Sequence, residues 1–232
     1  MSGHDIDIES ADGNFSAYVS IPKSGRGPGV LVLQEIFGVN ETMREICDWL
    51  AREGFTALCP DLFWRIEPGI KLNSESETDL KRAFELFGFF NHETGILDIR
   101  TSLAKLRALD SCTGKAGAIG YCLGGLLAYR TACHTDSDAS VGYYGVSIQD
   151  RLEEANSITH PLMLHIAGKD NFVPPPAQVS LHRRLDANPL VTLHDYPEQE
   201  HAFARINGDH FHAEVADLAN ARTLAFLRNH LG

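Results

Sequence analysis

A cysteine held between glycines, just after an apolar run, constrains the fold of this chain more than any other feature. The run covers residues 116–119, and residues 120–124 read G-Y-C-L-G. In a sharp strand-to-helix turn of this kind, glycines approach neighbouring backbone and let the central residue hold a strained conformation at the helix N-terminus. The helix dipole lowers the pKa of a thiol placed there, and a thiolate is a strong nucleophile. Cys122 is therefore a candidate nucleophile; the alternative is a buried structural cysteine at a glycine-rich strand end.

Two residues that could serve Cys122 follow later apolar runs. Asp170 comes after the run that begins at Leu162, and His201 comes after the run that begins at Val191. Each is expected in a loop beyond the C-terminal end of a strand. The order nucleophile, acid, histidine is that of the α/β-hydrolase arrangement, in which His201 would accept the proton and Asp170 would fix its tautomer. Their placement at strand ends is the informative observation. A chain with 11 His and 31 Asp plus Glu has such residues downstream of any cysteine, so their presence alone indicates little.

Segments with strand and helix periodicity alternate along the chain. An N-terminal antiparallel hairpin is predicted around Asp12 and Gly13. Beyond it, continuous apolar runs favour buried parallel strands, and apolar residues at helical spacing favour helices. The alternation predicts an α/β fold with a mostly parallel central sheet, helices on both faces and ligands at the C-terminal strand ends. The predicted strands are 6–8, 15–19, 29–33, 56–60, 116–119, 141–144 and the runs before Asp170 and His201; the predicted helices are 41–52, 79–90, 93–109 and 213–229; and 25–29 and 174–176 are interpreted as turns.

Size and charge narrow the class of protein. With 232 residues and 44% hydrophobic composition, a single α/β domain over 1–232 is expected to bury a sizeable core. The formal net charge of −11 argues against a nucleic-acid partner, because no basic stripe is present to neutralise phosphates. No apolar stretch is long enough for a bilayer, and residues 1–5 lack the features of a signal peptide. A cytoplasmic location without a membrane partner is therefore expected.

The cysteines do not form a recognisable framework. The chain has five of them and no C-x-x-C pair, so neither a disulfide scaffold nor a zinc knuckle is predicted. Apart from Cys122 they are interpreted as core or surface thiols. The sequence leaves the oligomeric state open between a monomer and a small homo-oligomer.

A series of motifs, in order and with compatible spacing over nearly the whole chain, resembles the dienelactone hydrolase (carboxymethylenebutenolidase) family. The resemblance implies the α/β-hydrolase fold, with Cys122 as nucleophile, His201 as base and Asp170 as the residue that orients it. It also implies an oxyanion hole from the backbone N–H groups of Ile36 and Leu123. The motifs are Q-E-I-F-G-V-N at 34–40, C-P-D-L-F at 59–63, G-Y-C-L-G-G at 120–125, V-G-Y-Y-G at 141–145 and H-A-F-A-R at 201–205.

Glu35 is the additional carboxylate that the resemblance implies. In the family it is held to contact the resting thiol and to swing away when substrate binds, which leaves a thiolate matched to a protonated histidine. A carboxylate directly after a buried strand must in any case be solvated, paired or protonated. The alternative is that Glu35 caps the helix that begins near Asn40 or pairs with an arginine.

The resemblance also implies a set of substrate contacts. Arg205 lies four residues after His201, where a guanidinium could hold a substrate carboxylate in a bidentate manner. A surface ion pair is the alternative for this arginine. The full set of implied substrate contacts is Phe37, Phe87, Tyr143 and Arg205.

Two positions depart from the family pattern. Leu80 stands where the family has a second carboxylate-binding arginine, and Phe87 stands where a tryptophan is usual. Lys81 and Arg82 are rotated by roughly 100° and 200° around a helix from Leu80, so neither replaces it by position alone. The departure leaves the hydrolase chemistry intact and weakens the expectation that dienelactone itself is the substrate.

The sequence thus predicts a hydrolase that cleaves a lactone or activated ester through a Cys122 acyl-enzyme. No metal or organic cofactor is expected, and the resemblance implies a role in the degradation of aromatic compounds of the chlorocatechol type. One alternative is a carboxylesterase or thioesterase for neutral acyl groups with the same residues. The other is a non-catalytic ligand-binding or thiol redox module.

Overall fold

In a computed structural model, which describes residues 3–232, the chain divides into two compact units. The first unit runs to Gly117 and includes Leu231, and the second comprises Ala118–His230 and Gly232. The described residues contain no helix that combines the length and the apolar character needed to cross a bilayer. The expectation of a single domain over 1–232 stays a prediction.

The first unit is built on an antiparallel hairpin followed by parallel strands. Strand order here is β1-β2-β4-β3-β5. The hairpin pairs β1 with β2, with Ser10 opposite Gly13, and β2 pairs antiparallel with β4. β3 runs parallel to β4. The elements are β1 (His4–Ser10), β2 (Gly13–Ser20), β3 (Gly27–Leu33), α1 (Glu41–Arg52), β4 (Thr56–Pro60), α2 (Glu77–Phe89), α3 (His92–Arg107) and the first part of β5 (Cys112–Tyr121).

The second unit is a parallel α/β arrangement. Its strand order is β5-β6-β7-β8, and β6, β7 and β8 each run parallel to their neighbour. Successive residues of β7 serve opposite faces: Leu164 belongs to an apolar core with α4 and α5, whereas His165 contacts Thr223 on α6. The elements are the rest of β5, α4 (Leu123–His134), β6 (Ser140–Tyr143), a 3-10 segment (Ile148–Ser157), β7 (Leu162–Ala167), α5 (Pro175–Leu185), β8 (Val191–Tyr196) and α6 (Ala213–Leu231).

Local signals explain why several helices begin where they do. Asn40 caps α1 by accepting a hydrogen bond from the N–H of Met43, and Ser76 and Asn91 cap α2 and α3 in the same way. These side chains satisfy N–H groups that the first helical turn leaves without a partner. The predicted hairpin, the mostly parallel strands and the alternation with helices are confirmed, and α1 and β4 have the predicted bounds.

The interpretation of 174–176 as a turn is wrong. Pro175 and Pro176 occupy the first positions of α5. Proline is well accommodated there, because the first helical N–H has no intrahelical acceptor and the fixed φ of proline suits a helix. The sequence analysis also missed the 3-10 segment, which has no sustained helical periodicity.

Candidate active site

The backbone around Cys122 forms the tight strand-to-helix turn that the sequence predicts. β5 ends at Tyr121 and α4 begins at Leu123, and Cys122 between them has φ 57° and ψ −114°. A side chain at position 120 would overlap the backbone carbonyl of Gly124, so this position requires glycine. A Cβ atom at position 125 would lie 2.6 Å from the carbonyl oxygen of Tyr143. The turn therefore depends on two close approaches of backbone to backbone.

The same turn orients the polar groups next to the thiol. The N–H of Cys122 donates to the carbonyl of Tyr143 at 3.1 Å, and the carbonyl of Cys122 accepts from Gly125 at 3.0 Å. Leu123 is the first residue of α4, so its N–H has no acceptor within the helix. A free N–H directly after a nucleophile is the donor that a developing oxyanion needs. The predicted role of Leu123 is consistent with this position.

Asp170 and His201 meet in loops after β7 and β8. The distance between Asp170 Oδ2 and His201 Nδ1 is 2.7 Å. The second carboxylate oxygen, Oδ1, accepts the N–H of Phe172 at 2.8 Å, which fixes the carboxyl plane. Asp170 is buried, with 3% of its surface exposed. Its carboxylate therefore holds the imidazole in one orientation and presents the other ring nitrogen, Nε2, to its surroundings.

The charge state of His201 follows from its neighbours. Burial by itself lowers the pKa of a histidine, because it removes water from the charged form. For His201 this effect is outweighed by the negative charge of Cys122, by the hydrogen bond and charge of Asp170, and by a hydrogen bond to Cys122, so that its pKa rises from 6.5 to about 10. The raised pKa therefore favours the protonated form of His201.

Two aromatic rings that the sequence analysis did not assign flank this imidazole. The rings of Tyr144 and Phe172 contact that of His201 edge to face, with centroid separations of 5.1 and 4.8 Å. Tyr144 has a positive φ of 37°, and Phe172 is 51% exposed. Tyr144 belongs to the V-G-Y-Y-G motif, and Phe172 follows Asp170 by two residues. Their closeness to these motifs is the only feature of the sequence that could have indicated a contact with His201. Both rings restrict where the imidazole can turn.

The loop after β3 carries Glu35, Ile36 and Phe37, all of which are buried. The side chain of Gln34 braces this loop, because its Nε2 donates to the carbonyl of Glu35 and its Oε1 accepts the N–H of Leu62 at 2.9 Å. The N–H of Leu72 donates to the carbonyl of Phe37 at 2.9 Å. The loop is therefore well ordered within the first unit. The predicted roles of Glu35, Ile36 and Phe37 toward Cys122 stay predictions.

The residues around Leu80 lie on α2. Leu80 is 37% exposed, and Lys81 next to it is also exposed. The guanidinium of Arg82 forms ion pairs with both Glu67 and Glu85. Arg82 is thus engaged by two carboxylates, and the predicted effect of Leu80 on substrate binding stays a prediction.

Tyr143, Phe87 and Arg205 differ in their surroundings. Tyr143 is fully buried, and its hydroxyl contacts Asn220 and Thr223 on α6. This contact favours a packing role over the predicted substrate contact, because the hydroxyl is already used. Phe87 is half-buried on α2. The N–H of Arg205 donates to the carbonyl of Ala202 at 2.9 Å, which closes a tight turn directly after His201. The predicted substrate contact of Arg205 stays a prediction.

The parallel strands, the turn around Cys122 and the acid and histidine after later strands together define an α/β-hydrolase. A family model described as the dienelactone hydrolase family matches residues 15–231. The chain belongs to this family, and it is a hydrolase that acts on lactone or ester bonds.

Individual relatives agree with this assignment. A protein from Azospirillum brasilense with a provisional carboxymethylenebutenolidase name is 44% identical, over 98% of this chain and 99% of its own. The carboxymethylenebutenolidase of Pseudomonas sp. strain P51 is 42% identical, over 97% of this chain and 94% of its own. A crystal structure from Klebsiella pneumoniae with a provisional dienelactone hydrolase name has a TM-score of 0.86 at 27% identity, covering 97% and 98% of the two chains.

The close approach at position 120 leads to a stability prediction. Gly120→Ala should lower the free energy of unfolding by about 3 kcal/mol or more, because the new methyl group overlaps backbone that cannot rotate away. Gly88→Ala is the matched control, since nothing lies within 4 Å of a Cβ atom at that position. The control should be neutral or stabilise α2 by about 0.5–1 kcal/mol. Urea denaturation followed by circular dichroism measures both, and equal stabilities for the two variants would contradict the proposed strain.

The electrostatics of His201 lead to a second prediction. Because folding raises its pKa from 6.5 to about 10, His201 stabilises the fold fully only below the lower value, and this contribution disappears as pH rises to the upper one. NMR titration of the labelled imidazole should give a midpoint near the upper value. Cys122→Ala should lower the midpoint by removing the thiolate charge, whereas Cys133→Ala should leave it unchanged. A wild-type midpoint close to that of free histidine would contradict the raised pKa of His201.

Proposed function

We propose that Cys122, His201 and Asp170 form a catalytic triad that opens a lactone or activated ester through a thioester intermediate. The observation that carries this proposal is the environment of His201. One ring nitrogen contacts a buried carboxylate at 2.7 Å, and the charge of the Cys122 thiolate raises the pKa of the imidazole to about 10. A thiolate at a helix N-terminus is a strong nucleophile, and a neighbouring imidazolium can donate a proton to the leaving group.

Acylation uses these groups in sequence. The thiolate of Cys122 attacks the carbonyl carbon, and the carbonyl π electrons move to oxygen. The N–H groups of Leu123 and Ile36 are assigned to stabilise this oxyanion. As the intermediate collapses, the carbon–oxygen bond of the lactone breaks, and the leaving alkoxide takes the proton of His201 Nε2. The product of this step is a thioester on Cys122 with a neutral imidazole.

Deacylation reverses the roles. Neutral His201 removes a proton from water, and the resulting hydroxide attacks the thioester carbon. Collapse of the second intermediate breaks the carbon–sulfur bond and restores the thiolate and the imidazolium. Asp170 keeps the imidazole in a single tautomer throughout. We also assign Glu35, a buried carboxylate, to the catalytic group.

The substrate is proposed to be a small lactone or ester, with one carboxylate contact from Arg205. Leu80 supplies no charge where the family has an arginine, and Arg82 is engaged by Glu67 and Glu85. Binding should therefore prefer anionic substrates less strongly than in relatives that have both arginines. A lactone produced by ring cleavage of an aromatic compound has the required carbonyl and carboxylate. Leu80 also favours a second candidate function, a carboxylesterase or thioesterase for neutral acyl groups.

The proposal also covers the domain organisation and the cellular location of the enzyme. The family model spans residues 15–231, which supports the proposal of a single domain over 1–232. All five cysteines are free and buried, as is usual for proteins in a reducing compartment. This supports a cytoplasmic enzyme acting on a diffusible small molecule.

The nucleophile is tested by comparing two cysteines on the same segment. Cys122 and Cys133 are both 7% exposed, but burial raises the pKa of the Cys133 thiol to about 12. Cys122→Ala should abolish ester turnover and iodoacetamide labelling, whereas Cys133→Ala should leave both unchanged. Mass spectrometry of the inactivated wild type should locate the label on Cys122, with substrate protecting. Wild-type turnover by Cys122→Ala would show that the proposed mechanism is wrong.

Charge selectivity separates the lactone proposal from the neutral-ester candidate. A hydrogen bond to a charged group contributes about 1.5–3 kcal/mol, which corresponds to about ten- to more than a hundred-fold in affinity. Arg205→Ala should lower kcat/KM for a carboxylate-bearing lactone by about this factor and barely affect a neutral ester. Leu80→Arg should raise activity on dienelactone. Equal losses of Arg205→Ala on both substrates would assign Arg205 to the fold and favour the neutral-ester candidate.

A further inference from the structure

A chain of buried hydrogen bonds joins β6, β7 and β8 to α6 in the second unit, through side chains that the mechanism does not use. His165 is its centre: Nδ1 lies 2.8 Å from the hydroxyl of Tyr196, and Nε2 lies 2.9 Å from Thr223 Oγ1. Thr223 Oγ1 in turn lies 2.7 Å from the hydroxyl of Tyr143. Two residues of α6 lie at the ends of this series of hydrogen bonds. Arg222 contacts the hydroxyl of Tyr196 at 3.2 Å, and Asn220 contacts the hydroxyl of Tyr143 at 3.0 Å.

One arrangement of hydrogens uses every group in this chain. Arg222 can only donate, so the Tyr196 oxygen accepts from it and the Tyr196 hydrogen goes to His165 Nδ1. Nε2 then carries the ring hydrogen and donates to Thr223. Thr223 donates to Tyr143, which donates to the amide oxygen of Asn220. Burial, with the charges of His194 and Arg222, lowers the pKa of His165 well below its usual range, which agrees with a neutral ring.

The backbones of the same residues hold the triad loops. The carbonyl of Tyr143 accepts the N–H of Cys122 at 3.1 Å. The carbonyl of His165 accepts the N–H of Tyr144, whose ring contacts His201. The carbonyl of Tyr196 accepts the N–H of Gln199 at 3.0 Å, in the turn that leads to His201. The hydrogen-bonded side chains therefore connect the residues whose carbonyls hold the Cys122 turn and the segments next to His201.

We propose that the hydrogen-bond chain centred on His165 and Thr223 is a positioning network that sets the separation between Cys122 and His201. The inference rests on the proposed function, because it assigns these two residues to one catalytic pair. Directional hydrogen bonds in a fully satisfied buried network fix the relative offset of the strand ends more tightly than apolar contacts do. Catalysis needs this accuracy, since a displacement of about 1 Å lowers rates by about a hundred-fold.

Thr223→Val tests the network with the smallest change in shape. The substitution removes the hydroxyl that joins His165 to Tyr143 and leaves side-chain volume nearly constant. We expect kcat to fall by about ten- to a hundred-fold with KM changed less than about two-fold, because binding groups stay in place. Iodoacetamide should label Cys122 more slowly at neutral pH, because the thiolate depends on His201. Thr223→Ser, which keeps the hydroxyl, should restore most of both rates.

Thr56→Val is the matched control. Thr56 and Thr223 are both fully buried, and the Thr56 hydroxyl donates to the carbonyl of Ser111 at 2.7 Å in the first unit. The control should lose a comparable hydrogen bond and some thermal stability, with wild-type kcat and labelling rate. If Thr223→Val matches this control in kcat and labelling, the positioning role is wrong and Thr223 only supports the fold.

Two further measurements keep the outcomes separate. If Thr223→Val does not fold, Tyr196→Phe decides, because it removes the hydroxyl that contacts His165 and Arg222 and leaves the aromatic ring in place; a lowered kcat supports the network and a wild-type kcat overturns it. Cys122→Ala is assayed alongside. If it retains turnover, the proposed function fails whatever the network variants do. If it is inactive while the Thr223→Val and Tyr196→Phe variants have wild-type kcat, only the positioning network fails.

Discussion

The close approach of backbone segments around Cys122 is the constraint on which the site depends. With φ at 57°, Cys122 holds a conformation that most L-residues avoid, and it persists because the carbonyls of Gly124 and Tyr143 leave no room for side chains at positions 120 and 125. The turn sets the thiol at the N-terminus of α4 and leaves the N–H of Leu123 without a helical acceptor. A single backbone geometry thus brings together the thiol of Cys122, the helix N-terminus and the N–H of Leu123.

The charges around His201 set the protonation state on which the proposed chemistry depends. Burial alone would keep the imidazole neutral, but Asp170 and the Cys122 thiolate together raise its pKa to about 10. The aromatic rings of Tyr144 and Phe172 limit the motion of the imidazole. Beneath these groups, the side chains around His165 connect the strands from which the loops emerge. The second unit therefore contains both a histidine with a raised pKa in the loop after β8 and a buried hydrogen-bond network among the strands and α6.

Membership of the dienelactone hydrolase family and the departure at Leu80 are compatible. In the proposed function, the residues that make and break the acyl bond depend on the turn and on the proposed triad, whereas selectivity for substrate charge depends on side chains outside them. Leu80 is a neutral side chain at a position where the resemblance implies an arginine, and Arg82 forms ion pairs with Glu67 and Glu85. The proposal therefore assigns chemistry and specificity to different parts of the chain.

The sequence by itself determined the features that arise from neighbouring residues. The glycines around Cys122, the helical spacing of apolar residues in α1 and the continuous apolar run of β3 predicted the turn, the helix and the strand, because backbone sterics and periodicity act over a few residues. Only the tertiary structure decided that Tyr143 faces α6, that Tyr144 and Phe172 flank His201, and that His165 is buried among hydrogen-bond partners from β8 and α6. These contacts join residues far apart in the chain, so they depend on strand order and on which face of each strand a side chain occupies.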